Sequence, residues 1–143
     1  MAGIVEAFAP DLFTGKAVLV TGGTSGIGLG AALAFRDLGA SVVATGATDS
    51  ECERARVDAA NARVAFERLD LREAAAIGAL IERLPRLDAV VNAAGVIRRD
   101  IEHDPDSFAE VVAINLTGPC GCAARRRRSS RRTAARLSTS PRC

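Results

Sequence analysis

The stretch Thr21-Gly22-Gly23-Thr24-Ser25-Gly26-Ile27-Gly28 is where residue types and spacing best suit a definite chemistry. A phosphate is held well where backbone N–H groups point outward at the start of a helix and no side chain stands in the way. Gly22, Gly26 and Gly28 can leave such a space, at the spacing G-x-x-x-G-x-G. The plainer alternative is a tight turn that needs glycine only for its backbone angles. Other reactive types are sparse. His103 is the single histidine and reads as a surface residue, Lys16 is the single lysine, and there is no tyrosine. Cys120 and Cys122 are close enough in sequence for a metal but lack a second pair. With Cys52 alone in the body of the chain, no disulfide framework is expected.

The elements that must position these residues follow from the hydrophobic pattern. Lys16 to Thr21 is a short apolar run ending in glycines, which predicts a strand buried on both faces of a parallel sheet. Apolar residues then recur at helical spacing from Ile27 to Leu38, and Gly39 supplies the stop. The same reading gives a strand over Ser41 to Thr45, a polar helix over Asp49 to Asn61 and a strand over Arg63 to Leu69. A helix over Glu73 to Leu84, stopped by Pro85, and a fourth strand over Asp88 to Asn92 come next. Asp104-Pro105-Asp106 supplies an N-cap, a first-turn proline and a first-turn acid, opening a helix through about Leu116. Strands alternating with helices predict right-handed βαβ units in an open parallel α/β sheet. Such sheets bind ligands outside the carboxyl ends of their strands, where the glycine turn falls.

Composition agrees with this class. Hydrophobic residues make up 48% and charged residues 25%, the profile of one soluble globular domain. Uncharged stretches such as Ala89 to Ile97 fall far short of the roughly 20 apolar residues that span a bilayer. The opening MAGIVEAFAPD has no basic region and carries Glu6, so no secretory signal is expected and a cytoplasmic location is. The net charge of +2 conceals two unlike parts. Residues 1–119 carry 11 basic and 17 acidic residues, whereas residues 120–143 carry 8 arginines and no acid.

Taken together, TGGTSGIG, then Asn92-Ala93-Ala94-Gly95 after the fourth strand, then Asn115 in the next helix, resemble the short-chain dehydrogenase/reductase family over about residues 11–118. The resemblance implies a Rossmann-type, doubly wound parallel α/β sheet, truncated here after about four strands, and an NAD- or NADP-dependent oxidoreductase that transfers a hydride between the cofactor and a small alcohol or carbonyl substrate. It implies that Gly22, Thr24, Ser25, Gly26, Ile27 and Gly28 hold the pyrophosphate, Asp70 and Leu71 the adenine, and Asn92, Ala93, Ala94 and Gly95 the ribose side. Asn115 would take the family's catalytic place, supporting a proton-relay water, and intact relatives would be homo-oligomers. Asp70 could equally serve as a helix N-cap before Glu73. NAD is preferred to NADP because neither Ala47 nor Ser25, where such relatives carry a basic residue, is basic. Asp49 is a candidate partner for the ribose 2′-OH, with a bland loop acid as the alternative. Arg98 and Arg99 are candidate substrate residues, since adjacent guanidinium groups suit a carboxylate. GVIRR and FTGKAVLVTGG are similar to gluconate and other sugar-acid dehydrogenases. The alternative is a solvated arginine pair countering Asp100 and Glu102.

The resemblance also implies a catalytic serine and a Tyr-x-x-x-Lys helix, and these 143 residues contain neither a tyrosine nor a lysine after Lys16. The expectation is therefore a non-catalytic, NAD(P)-binding part over 1–118, and a basic, disordered tail over 119–143. Its arginines, from Arg125 to Arg136, could bind nucleic acid without specificity. A pseudoenzyme that only binds NAD is the remaining class. The tail is built almost wholly from Ala, Arg, Gly, Pro, Ser, Thr and Cys, which suits GC-rich DNA read out of frame after Gly118. In the shifted frame Gly118 to Cys122 can encode Thr-Met-Arg-Val, continuing a helix, and Thr133 to Cys143 can encode GGAIVNIASM, an apolar strand followed by a serine.

Overall fold

A computed structural model describes residues 8–99, 101 and 103–125. The chain alternates strand and helix as β1 (Ala17–Thr21), α1 (Gly26–Asp37), β2 (Ser41–Gly46), α2 (Asp49–Val57), β3 (Val64–Arg68), α3 (Ala74–Arg83), β4 (Ala89–Asn92) and α4 (Pro105–Val112). All strand pairs are parallel, in the order β3-β2-β1-β4. The sheet grows outward from β1 to β3 and then returns to the other side of β1. That reversal puts the carboxyl ends of β1 and β4 side by side at a topological switch point, the place where open α/β sheets bind ligands.

The two-sided burial of β1 follows from its sequence. Side chains alternate across a strand, so Val18 and Val20 enter one apolar layer and Leu19 the other. The first layer joins Val42, Ala44 and Phe66 of the sheet to Ala32 of α1 and to Cys52 and Ala55 of α2. The second joins Leu19 to Leu69, Leu71 and Leu87, to Ile77, Leu80 and Ile81 of α3, and to Cys122. Helices on both faces make the three-layer, doubly wound α/β arrangement that alternating strand and helix patterns require.

Local chemistry sets the helix ends. Thr48 and Glu51 form a reciprocal capping box at the start of α2. α2 stops at Val57 rather than continuing to Asn61 because Asp58 turns extended and its carboxylate accepts from the Ala60 N–H at 2.9 Å. A short 3₁₀ turn, Ala59–Asn61, follows. At α4 the Asp104 carboxylate accepts from the Ser107 N–H at 2.8 Å, with Pro105 in the first helical turn.

The expected end of that helix near Leu116 is corrected. A π-helical turn, Ala113–Thr117, is followed by helical residues 118–125. Disorder therefore does not begin at residue 119, because Ala123, Ala124 and Arg125 are good helix formers and Cys122 acts as a small apolar side chain, fully buried in the second layer. Gly118 makes the approach possible: a Cβ there would lie 2.6 Å from the Leu71 Cβ. The rest of the arginine-rich segment, 126–143, lies outside the described residues, as do Asp100 and Glu102.

Candidate functional site

Three segments converge at the switch point: the turn after β1, the turn after β4 and the π-helical turn beyond α4. Gly22 takes a left-handed backbone angle of +64°, and a Cβ there would lie 2.5 Å from the Ala94 Cα. A Cβ at Gly28 would lie 2.2 Å from the Gly22 carbonyl oxygen. These two glycines let the first turn fold under itself and against Ala93-Ala94. Gly26 differs, because its angle is +54° and a Cβ there would meet nothing within 4 Å. The open space beside Gly26 faces the start of α1, whose N-cap Ser25 makes no side-chain capping bond and whose first turn carries no acid. The first N–H groups of a helix have no intrahelical acceptor, so this terminus offers donors and a partial positive charge to an anion. Thr24 is partly buried, while Ser25 and Ile27 are exposed, Ile27 at 90%.

The turn after β4 is held from two sides. Thr21 pairs with Asn92 in register, and the Ala93 N–H donates to the Thr21 carbonyl at 3.1 Å. Asn115 then fixes the turn's far end: its Oδ1 accepts from the Val96 N–H at 2.8 Å and its Nδ2 donates to the Val96 carbonyl at 2.9 Å. Gly95 lies under this clamp, where a Cβ would be 3.4 Å from Asn115 Oδ1. Asn115 belongs to the π-helical turn, so the residue singled out in sequence sits where helical geometry is locally altered. Thr21 Oγ1, at the end of β1, is buried without a hydrogen-bond partner among the described residues. The open glycine cradle and this orphaned hydroxyl fit an elongated polar ligand crossing the carboxyl ends of β1 and β4.

At the other end of the crevice, Asp70 does not cap α3, correcting that alternative, because the N-cap position is Glu73. Asp70 instead accepts from the Arg72 backbone N–H at 2.9 Å and from its guanidinium at 2.6 Å. The Arg72 hydrogen bonds hold the Asp70 carboxyl below its ordinary range, against the opposing effect of burial. The Leu71 side chain is buried in the second layer, so only its backbone can face the crevice. Arg72 also reaches Glu110 of α4 at 3.3 Å, and Arg98 Nε donates to the same carboxylate at 2.9 Å. Arg98 therefore pairs with Glu110, and Arg99 is exposed beside it. The sequence reading missed Glu110 and Arg72, because only the fold brings these distant residues together. Glu51 was legible: Thr48-x-x-Glu51 is a capping-box spacing, and Glu51 Oε2 accepts from the Ala47 and Thr48 N–H groups at 2.8 and 3.1 Å. Lys16 lines a cavity of about 390 Å³ with Leu12, Phe13 and Asp88 at the opposite end of the sheet, away from the crevice. His103 is exposed, and no cluster suited to a metal occurs among the described residues. No described helix is long and apolar enough to cross a membrane.

A parallel sheet with a glycine cradle at its switch point defines a doubly wound α/β fold of the dinucleotide-binding class. Residues 16–130 match the family model for short chain dehydrogenases. D-beta-hydroxybutyrate dehydrogenase of Cupriavidus necator is 33% identical over 114 residues, covering 74% of this chain and 44% of its own length. A solved short chain dehydrogenase/reductase family protein superposes with a TM-score of 0.73 at 31% identity, covering 83% of this chain and 51% of that one. A solved short chain dehydrogenase from Shigella flexneri complexed with NADP superposes at 0.68 and 25% identity, covering 82% and 54%. The chain belongs to the short-chain dehydrogenase/reductase family, whose members are NAD(P)-binding oxidoreductases. It spans less than half the length of the curated relatives it matches first.

Proposed function

We propose that this chain is the dinucleotide-binding part of an NAD(P)-dependent oxidoreductase, and that the 143 residues bind the cofactor without turning over substrate. The observation that carries the reading is the open cradle beside Gly26 at the uncapped start of α1. In the proposed role the N–H groups after Ser25 hold the pyrophosphate, with Gly22 and Gly28 keeping side chains out of the way. Asp70 and the Leu71 backbone bind the adenine, and Asn92 to Gly95 line the ribose side. A bound dinucleotide would supply hydride transfer. Asn115 positions the turn that faces it by clamping Val96.

Judged on Ala47 and Ser25 alone, neither of which is basic, NAD would be preferred to NADP. Arg98 and Arg99 lie on the substrate side, and a carboxylate-bearing substrate such as a sugar acid would compete with Glu110 for Arg98. The chain holds no tyrosine to act as proton donor, and losing a positioned proton donor costs about 10²–10⁴-fold in rate. Residues 119–143 are read as the product of a frame lost at Gly118, on their composition. The gene's nucleotide sequence tests this: its shifted frame must run on to a Tyr-x-x-x-Lys about one helix beyond the encoded serine.

The function is tested by titrating purified chain with NADH, following nicotinamide fluorescence, and assaying it with NAD and NADP against alcohols and sugar acids. Saturable binding with no turnover above a no-enzyme control is expected. Turnover contradicts the non-catalytic reading, and absence of binding contradicts the whole.

A further inference from the structure

We propose that Arg68 recognises the 2′-phosphate of NADP, so that the chain accepts the phosphorylated dinucleotide in spite of Ala47 and Ser25. The inference rests on the dinucleotide reading above and concerns only the adenosine end of that site. Beside the end of β2 and the glycine turn, parallel pairing brings β3 to the adenosine end as a third contributor. Register sets Arg68, the last residue of β3, beside Gly46, the last residue of β2. From there the Arg68 side chain crosses to the position of interest, its Nε donating to the Ala47 carbonyl at 3.3 Å. An arginine side chain thus reaches the residue that itself lacks one.

The guanidinium is available there. Arg68 is exposed, and no described carboxylate pairs with it within 4.0 Å, whereas Arg72, Arg83, Arg86 and Arg98 all have acidic partners. Its single bond to Ala47 uses Nε and leaves the two terminal amino groups, the fork that suits phosphate oxygens. The acids close to this place are engaged instead of free. Glu51 Oε2 accepts from the Ala47 and Thr48 N–H groups, and Asp70 is held by Arg72. An NAD-selective site needs a free carboxylate for the 2′-OH, and here only exposed Asp49 remains for that role. Gly46 lets Thr24 and Glu51 close in on the end of β2, since a Cβ there would lie 2.8 Å from Thr24 Cγ2 and 3.1 Å from Glu51 Oε2. The end of β2 is therefore bare of side chain, with Thr24 and Glu51 against it and an unpaired guanidinium alongside. A 2′-phosphate dianion gains a charge-assisted bond there that a hydroxyl does not.

The test titrates the 143-residue chain by calorimetry with adenosine 5′-monophosphate and adenosine 2′,5′-bisphosphate, and repeats the comparison with NADH and NADPH. Arg68→Gln and Arg68→Lys are measured beside the parent, with melting midpoints to confirm that both variants fold. The parent should bind the bisphosphate about tenfold more tightly than the monophosphate. Arg68→Gln should remove most of that ratio while leaving monophosphate affinity within about twofold, and Arg68→Lys should retain part of it. A ratio unchanged by Arg68→Gln, or no ratio in the parent, overturns the role of Arg68 and leaves dinucleotide binding standing. Failure of the folded parent to bind any of the four ligands overturns the dinucleotide reading itself, and this inference with it.

Discussion

The glycines of the first turn are not equivalent, and each makes a different demand on a methyl group. At Gly28 a Cβ would overlap the Gly22 carbonyl, so Gly28→Ala must push the turn apart, at a cost of about 1–3 kcal/mol. At Gly26 the methyl has room, and the cost is the left-handed backbone alone, about 1–2 kcal/mol. Both methyls harm the cradle, so both variants should lose NADH affinity. Gly28→Ala should also move the Gly22–Ala94 contact, read as faster amide exchange at Ala93 and Ala94, whereas Gly26→Ala should leave it in place. Equal exchange in the two variants would contradict this assignment. Asp70 adds a dependence on pH. Arg72 depresses its folded pKa below the ordinary 3.8, so the pair's contribution is whole above that value and is lost as pH falls through the lower folded value. The difference in melting midpoint between the parent and Asp70→Asn should therefore close as pH is lowered from about 5 towards 2. A constant difference would show that the pair contributes nothing through ionisation. The glycines could be read from sequence because backbone geometry leaves few substitutes for them. Arg68, Arg72 and Glu110 could not, since their partners come from strand register and from helices distant in sequence.

At the scale of elements, the alternation of strand and helix was legible nearly to the residue. β1, β2, β3, β4, α1 and α3 fall within about two residues of the ends that apolar runs, Gly39 and Pro85 mark. Two helix ends were not legible. α2 closes early because Asp58 caps a separate turn, a competition between side chain and backbone that hydrophobic spacing does not register. The helix of Asn115 runs on because a π-helical turn re-aims it, turning Cys122 onto Ile77, Leu80 and Ile81 of the second apolar layer. If this packing contributes to stability, Cys122→Ser places an unpaired hydroxyl in that layer and should cost about 1–3 kcal/mol in chemical denaturation. The exposed Cys120→Ser serves as the control and should be near neutral. Equal effects at the two positions would mean that residues 118–125 do not pack as described.

Across the whole molecule, one edge of the sheet frames the account. β4 pairs with β1 on one side only, and among the described residues its other side carries no strand. β1 and β4 end side by side at the proposed site, so bound dinucleotide should stabilise the native state by mass action. The acidic body and the basic end have different origins in the proposed reading, yet the body alone carries every residue assigned to the cofactor. Hydrogen exchange of the full chain with and without saturating NADH, read segment by segment, shows whether the glycine turn holds the dinucleotide. Protection should be concentrated in residues 22–28, 70–71 and 92–96. Protection confined to the arginine-rich end, or binding that leaves residues 22–28 unprotected, would contradict it.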